Sequence, residues 1–124
     1  MDKWQAQQTF WSGFGLTAYD ENTVPDDAAM PYITYQAVGG NIDTHSTVSA
    51  SLWYRSDSWA DISKKADDIA KAISQMPSSI KIDGGYMMVR LPDGSWFAER
   101  MDDPNDRQVR RILINIEIEF LTNY

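Results

Sequence analysis

From Arg107 to Leu121 the sequence alternates apolar and polar residues, and this constrains the fold more than any other feature. Ile112, Ile114, Ile116, Ile118 and Phe120 fall on one side of an extended chain. Arg111, Asn115, Glu117 and Glu119 fall on the other, with Leu113 the one apolar exception. A period of two predicts a long closing strand in a sheet with one buried face and one wet face. Such a sheet needs a cover. The segment from Ser58 to Met76 supplies one: Ile62, Ala66, Ile69, Ile73 and Met76 recur at helical spacing and form a single stripe. Ser58 is the expected N-cap, Asp61 suits the positive end of the helix dipole, and Pro77 is the expected stop.

The other elements follow from the same patterns. Asp2 to Phe14 predicts a short helix capped by Asp2, with Trp4 and Trp11 on one face and Gly13 and Gly15 ending it. Residues 18–31 show no period and read as an ordered loop or arm, broken by Pro25 and Pro31. Tyr32 to Val38 and Thr47 to Arg55 predict two strands of a hairpin. Val48, Ala50, Leu52 and Tyr54 share one face of the second, and Ser49, Ser51 and Trp53 the other. Ile80 to Ile82 begins an extended segment that Asp83-Gly84-Gly85 interrupts. Met87 to Leu91 and Ser95 to Arg100 flank Pro92-Asp93-Gly94 and predict a second hairpin. The expected fold class is α+β: a mainly antiparallel sheet of about four to six strands, one long helix packed across it, and a short N-terminal helix.

A chain of 124 residues supports one core, so residues 1–124 are expected to form a single domain. Apolar residues at 43% and charged residues at 23% mark a globular composition. The absence of cysteine rules out disulfides and thiolate chemistry and fits assembly in a reducing, cytosolic compartment. The net charge of −7 repels phosphates, so general nucleic-acid binding is not expected. The first residues lack the basic start and apolar run of a signal peptide. No stretch approaches the roughly 20 apolar residues of a membrane span.

Candidate chemistry is sparse. His45 is the lone histidine, and Asp43, His45 and Ser46 contain the residue types of a catalytic triad. Residues this close in an extended loop rarely converge, and no G-x-S-x-G elbow accompanies them. Glu117 and Glu119 share a strand face with Cα atoms roughly 6.7 Å apart, a spacing open to a glycosidase pair but also to any solvated strand. Asp102-Asp103-Pro104-Asn105-Asp106 lacks the glycine of a calcium loop, and its proline breaks the pattern. Gly39-Gly40 and Gly84-Gly85 precede no helix and no Lys-Ser/Thr, so neither is a phosphate loop. No catalytic, cofactor-binding or metal-ligating residue is expected, and the chain is not expected to be an enzyme. Five tryptophans, Trp4, Trp11, Trp53, Trp59 and Trp96, exceed what one small core readily uses. The surplus points to self-association or a protein partner.

In its order of elements the chain resembles the tail-terminator, or tail-completion, proteins of long-tailed bacteriophages. The likeness rests on three blocks: Pro31-Tyr32-Ile33-Thr34-Tyr35 after a proline-containing loop, the strand-then-helix unit from Val48 to Met76, and the closing strand from Asp106-Arg107-Gln108-Val109-Arg110-Arg111 to Phe120. The aromatic opening from Trp4 to Phe14 departs from the family's aliphatic first helix. The resemblance implies a structural virion protein, assembled in the host cytoplasm, that closes into a homo-hexameric ring. Such a ring caps the tail tube protein, joins it to head connector proteins, and lets DNA pass without specific binding. It implies no membrane association and no cofactor. Its interfaces are expected in the segment from Gly84 to Asp106 and on the polar face bearing Arg111, Glu117 and Glu119, with Arg110 or Arg111 pairing a neighbour's carboxylate. Another head–tail connector or a tube subunit is the alternative within the virion. A small hydrolase using Glu117, or Asp43, His45 and Ser46, is the alternative outside it.

Overall fold

Asp2 starts the first helix as expected. In the computed structural model, which describes residues 1–75 and 78–124, helix α1 spans Lys3–Ser12. Asp2 Oδ1 accepts from Gln5 N at 2.8 Å, and Gln5 Oε1 accepts from Asp2 N at 2.9 Å. This reciprocal capping box satisfies two donors at the helix start. The chain continues through β1 (Thr17–Asp20), β2 (Tyr32–Tyr35), β3 (His45–Arg55), α2 (Ala60–Ser74), β4 (Ser78–Ile82), β5 (Gly85–Arg90), β6 (Ala98–Met101) and β7 (Val109–Leu121). The fold class is α+β, with helices packed on a curled, mixed sheet.

The sheet has seven strands, more than the four to six expected, in the order β1-β2-β3-β7-β5-β4, with β6 also on β7. The extra strand is β1, which lies inside the segment read as a loop. Thr17–Asp20 is too short to show a period, and it is held by pairing parallel to β2 and by Gln8 Nε2 of α1, which donates to Ala18 O at 3.0 Å. β2 and β3 form the expected antiparallel hairpin, though β2 ends at Tyr35 and β3 begins at His45.

The second expected hairpin does not form. β5 lies antiparallel to residues 117–121 of β7, and β6 lies antiparallel to residues 111–114 of the same edge. They are two pieces of one interrupted strand, and residues 91–97 loop out between them. Pro92-Asp93-Gly94 bends this excursion without reversing the chain, because β7 is long enough to offer hydrogen bonds to both pieces. The tight reversal is instead Asp83-Gly84, which joins β4 to β5.

The buried face of β7 is as expected: Ile112, Ile114, Ile116, Ile118 and Phe120 are all in the core. The opposite face is not wet, because Arg111, Leu113, Asn115, Glu117 and Glu119 are all half-buried by cross-strand neighbours. Ile62, Ala66, Ile69 and Ile73 turn the apolar stripe of α2 into that core. The helix starts later than expected. Ser58 Oγ accepts from Ala60 N at 3.0 Å, but the capping position is Trp59, whose side chain makes no cap bond. Met76 and Pro77, expected to end the stripe and the helix, lie outside the described residues. Trp4 and Trp11 do not share a fate: Trp11 is fully buried, whereas Trp4 is 55% exposed and lies over Gly39. The buried stripe of α1 is Lys3, Ala6, Gln7 and Trp11, and Trp4 falls at its margin.

Gln7 imitates a strand neighbour. Its Nε2 donates to Val38 O at 2.9 Å, and its Oε1 accepts from Val38 N at 2.8 Å, inside the core. Replacing Gln7 with leucine keeps the volume and strands both backbone groups. The expected loss is about 2 kcal/mol, read from urea unfolding. A loss below about 0.5 kcal/mol would show that water satisfies Val38 equally well.

Candidate interaction surface

The half-buried face of the sheet carries an aromatic row set by register. Tyr32 stands opposite Trp53, and Trp53 opposite Arg111. Trp53 Nε1 donates to Thr34 Oγ1 at 2.9 Å, its ring lies 6.5 Å from that of Tyr32, and the Arg111 guanidinium sits 4.8 Å from its centroid. Tyr19 extends the row with an edge contact to Tyr32 at 5.6 Å. Trp53 therefore serves its own sheet rather than standing free. Arg111 Nε also donates to Ser51 Oγ at 3.0 Å.

Further along the same face, Arg90 bridges the two glutamates of the candidate pair. Its Nε lies 3.4 Å from Glu117 Oε2, and its Nη2 lies 2.9 Å from Glu119 Oε1. One guanidinium ties the two carboxylates together as ion-pair partners. His45 is brought to Glu119, with Nε2 3.5 Å from Oε2, rather than to Asp43 or Ser46. Asp43 N donates to Asn41 Oδ1 in a local turn. The structure therefore joins Glu117, Glu119, His45 and Arg90 into one polar cluster and does not bring Asp43, His45 and Ser46 together as a triad. Register pairs Arg90 with Glu117 across β7. That register was hidden in the sequence by the excursion at residues 91–97.

The acidic loop is organised by its own backbone. Asp103 Oδ1 accepts from Asn105 N, and Asp106 Oδ1 accepts from Gln108 N. Arg55 Nη1 reaches Asp106 Oδ2 at 2.9 Å. Among the described residues no three acidic or histidine side chains gather in a way that could hold a metal ion. The hydrogen bond from Arg55, and then that from Gln108 N–H, hold the Asp106 carboxyl below the usual aspartate range. A carboxyl depressed in the folded state contributes stability above the ordinary aspartate pKa and loses it as pH falls through the folded value. The stability gap between the wild type and Arg55→Met is thus expected to be constant above about pH 5 and to narrow progressively as pH falls below about 4. Urea midpoints measured from pH 7 to pH 2 check this, and a gap that is undiminished at the lowest pH contradicts it.

At the end of the sheet where β7 begins, a cleft of about 500 Å³ is lined by Trp59, Met101, Asp102, Asp103, Pro104, Arg107, Val109 and Arg110. Trp59, just ahead of α2, is among the residues lining it. The Arg100 guanidinium lies 5.0 Å from the Trp59 centroid and that of Arg110 lies 5.3 Å away, within cation–π range. Arg110 Nη1 donates to Arg107 O at 2.6 Å and its Nη2 to Asp57 O at 3.2 Å. Its Nε is buried with no acceptor among the described residues. Sequence reasoning had no signal for this grouping, because its members come from three elements distant along the chain.

The excursion exposes Trp96, at 79% the most open of the large apolar side chains among the described residues, beside Gly94 and Ser95. Phe97 O accepts from Asn115 N at 2.7 Å, which fixes the base of the loop to β7. At the opposite end of the sheet from the Trp59 cleft, Trp4, Ile42 and Tyr124 are each about half exposed. Of the five tryptophans, one is wholly buried, two are half-buried and two are exposed. No described helix is long and apolar enough to cross a membrane. No family model, curated protein or solved structure matches the chain, so its function is read from its own surface.

Proposed function

We propose that this chain is a structural protein of a long-tailed phage virion, a tail terminator that closes into a homo-hexameric ring on the tail tube. One side of the ring contacts the tube protein and the other the head connector proteins. DNA passes through the lumen without specific binding, helped by the net charge of −7. Assembly takes place in the host cytoplasm. In this reading the chain is not an enzyme and takes no cofactor or metal.

The observation that carries the reading is the order of elements around a long closing strand: β2 after a proline-containing arm, β3 leading directly into α2, and β7 at the centre of the sheet. Support also comes from the surface. Trp96 is exposed on a loop within the segment expected to form interfaces, and Arg111 is presented on the polar sheet face. A ring built from one repeated heterologous contact closes on itself, and a terminator stops a stack when its outer axial face does not match the next tube ring.

Native mass spectrometry of the purified protein, alone and mixed with tail tubes, tests this. The expected result is a closed ring, formed at the latest on the tube, that blocks further tube growth. A strict monomer that leaves tube length unregulated overturns it. Negative-stain microscopy separates the tube-subunit alternative, which requires long stacks of this chain by itself.

A further inference from the structure

The Trp59 cleft and the arm of residues 21–31 lie on opposite edges of the sheet. The arm joins β1 to β2 at one edge, and the cleft opens beside β6 on the far side of β7. Four strand steps separate β1 from β6, about 19 Å along the sheet. None of the residues lining the cleft comes from the arm of the same chain.

Their chemistry is complementary. The arm and its root carry Asp20, Glu21, Asp26 and Asp27, with no lysine, arginine or histidine from residue 18 to residue 31. None of these carboxylates forms an ion pair among the described residues. The same holds for Arg100, Arg107 and Arg110 around the cleft, although the chain has 18 acidic side chains to offer. Arg100 and Arg107 are exposed, and Arg110 retains a buried Nε without an acceptor among the described residues. Asp102 and Asp103 also line the cleft, so the match lies in the placing of the guanidinium groups rather than in a net positive patch. The arm also carries Val24, Pro25 and Met30, apolar groups suited to the Trp59, Met101 and Pro104 surface.

We propose that the arm of one copy seats in the Trp59 cleft of the next, its carboxylates meeting Arg100 and Arg107. This rests on the ring reading above and names the contact that builds the ring. The contact is heterologous: each copy gives an arm and receives one, so the series closes or continues but does not stop at a symmetric dimer.

The cysteine-free chain allows a direct test in the full-length protein. Ala29→Cys marks the arm and Pro104→Cys marks the cleft rim, and neither removes a charge. Under mild oxidation, a mixture of the two variants is expected to give a disulfide-linked heterodimer. A chain carrying both is expected to give a ladder of linked oligomers. Adding Asp26→Lys and Asp27→Lys to the arm variant should lower the heterodimer yield at least tenfold, and Arg100→Glu with Arg107→Glu on its partner should restore it. Heterodimer no more abundant than the homodimers of either single variant overturns the proposal, as does arm-to-arm linkage alone. If native mass spectrometry finds rings while this cross-link is absent, the arm–cleft contact fails and the ring reading survives. If the cross-link forms but the linked chains never close around a tube, the contact stands and the ring reading fails.

Discussion

Replacing Trp11 with alanine is expected to cost about 4 kcal/mol of folding stability, the largest loss from any single truncation in this chain. Trp11 is fully buried and is the largest side chain in the core. Its ring meets Phe10 edge-on at 4.9 Å, stacks on Tyr35 of β2 at 6.4 Å and lies 6.4 Å from Phe14. Truncation therefore removes apolar burial, opens a cavity that the surrounding rings cannot fill, and unlocks α1 from the sheet. Trp11→Phe tests the cause. The indole Nε1 is buried with no acceptor among the described residues, so phenylalanine removes a stranded donor along with part of the ring. The expected loss is about 1 kcal/mol, because the two effects oppose. Urea unfolding of both variants decides the matter. A loss for Trp11→Phe well above about 1 kcal/mol would mean that the missing volume dominates and that the stranded N–H costs little.

Gly85→Ala is expected to rank second, at about 3 kcal/mol or more. Gly85 opens β5 with φ at 156°, and an added Cβ would lie 1.9 Å from Leu121 O and 3.0 Å from Leu121 C. The obstruction is backbone of β7, so no rotamer change relieves it. Either the hairpin or the β5–β7 pairing must move. Gly94 is the control: its φ of 77° also disfavours a side chain, but a Cβ there meets nothing within 4 Å. Gly94→Ala should therefore cost only the conformational term, about 1 kcal/mol. Comparable midpoints for the two variants would refute the close-approach argument.

Both predictions depend on contacts that the sequence could not supply. Tryptophans at positions 4 and 11 looked equivalent by helical spacing, yet one is a core anchor and the other stands half open. The buried stripe of α1 runs through Lys3, Ala6, Gln7 and Trp11, and Trp4 lies at its margin, so which part of the helix circumference the sheet covers was decided by packing rather than by spacing. The glutamate pair shows the same limit. Its spacing on one face was legible, but the Arg90 that bridges it lies 29 positions before Glu119 and is placed there by strand pairing alone.

Features that local periodicity controls were legible along the chain. Local pattern specified the alternating faces of β3 and β7, the stripe of α2, the Asp2 cap of α1, and hence the α+β class, because each depends on neighbours a few residues away. Tertiary structure alone decided which strands meet. Laying β5 and β6 end to end on β7 turned Pro92-Asp93-Gly94 from a reversal into a bulge. Pairing with β2 made a strand of Thr17–Asp20. The packing of α2 on the sheet gathered Trp59, Arg100 and Arg110 into a cleft. The physical reason is that a turn sequence or a short extended run tolerates several partners, and the choice falls to whichever distant edge leaves the fewest backbone groups unpaired.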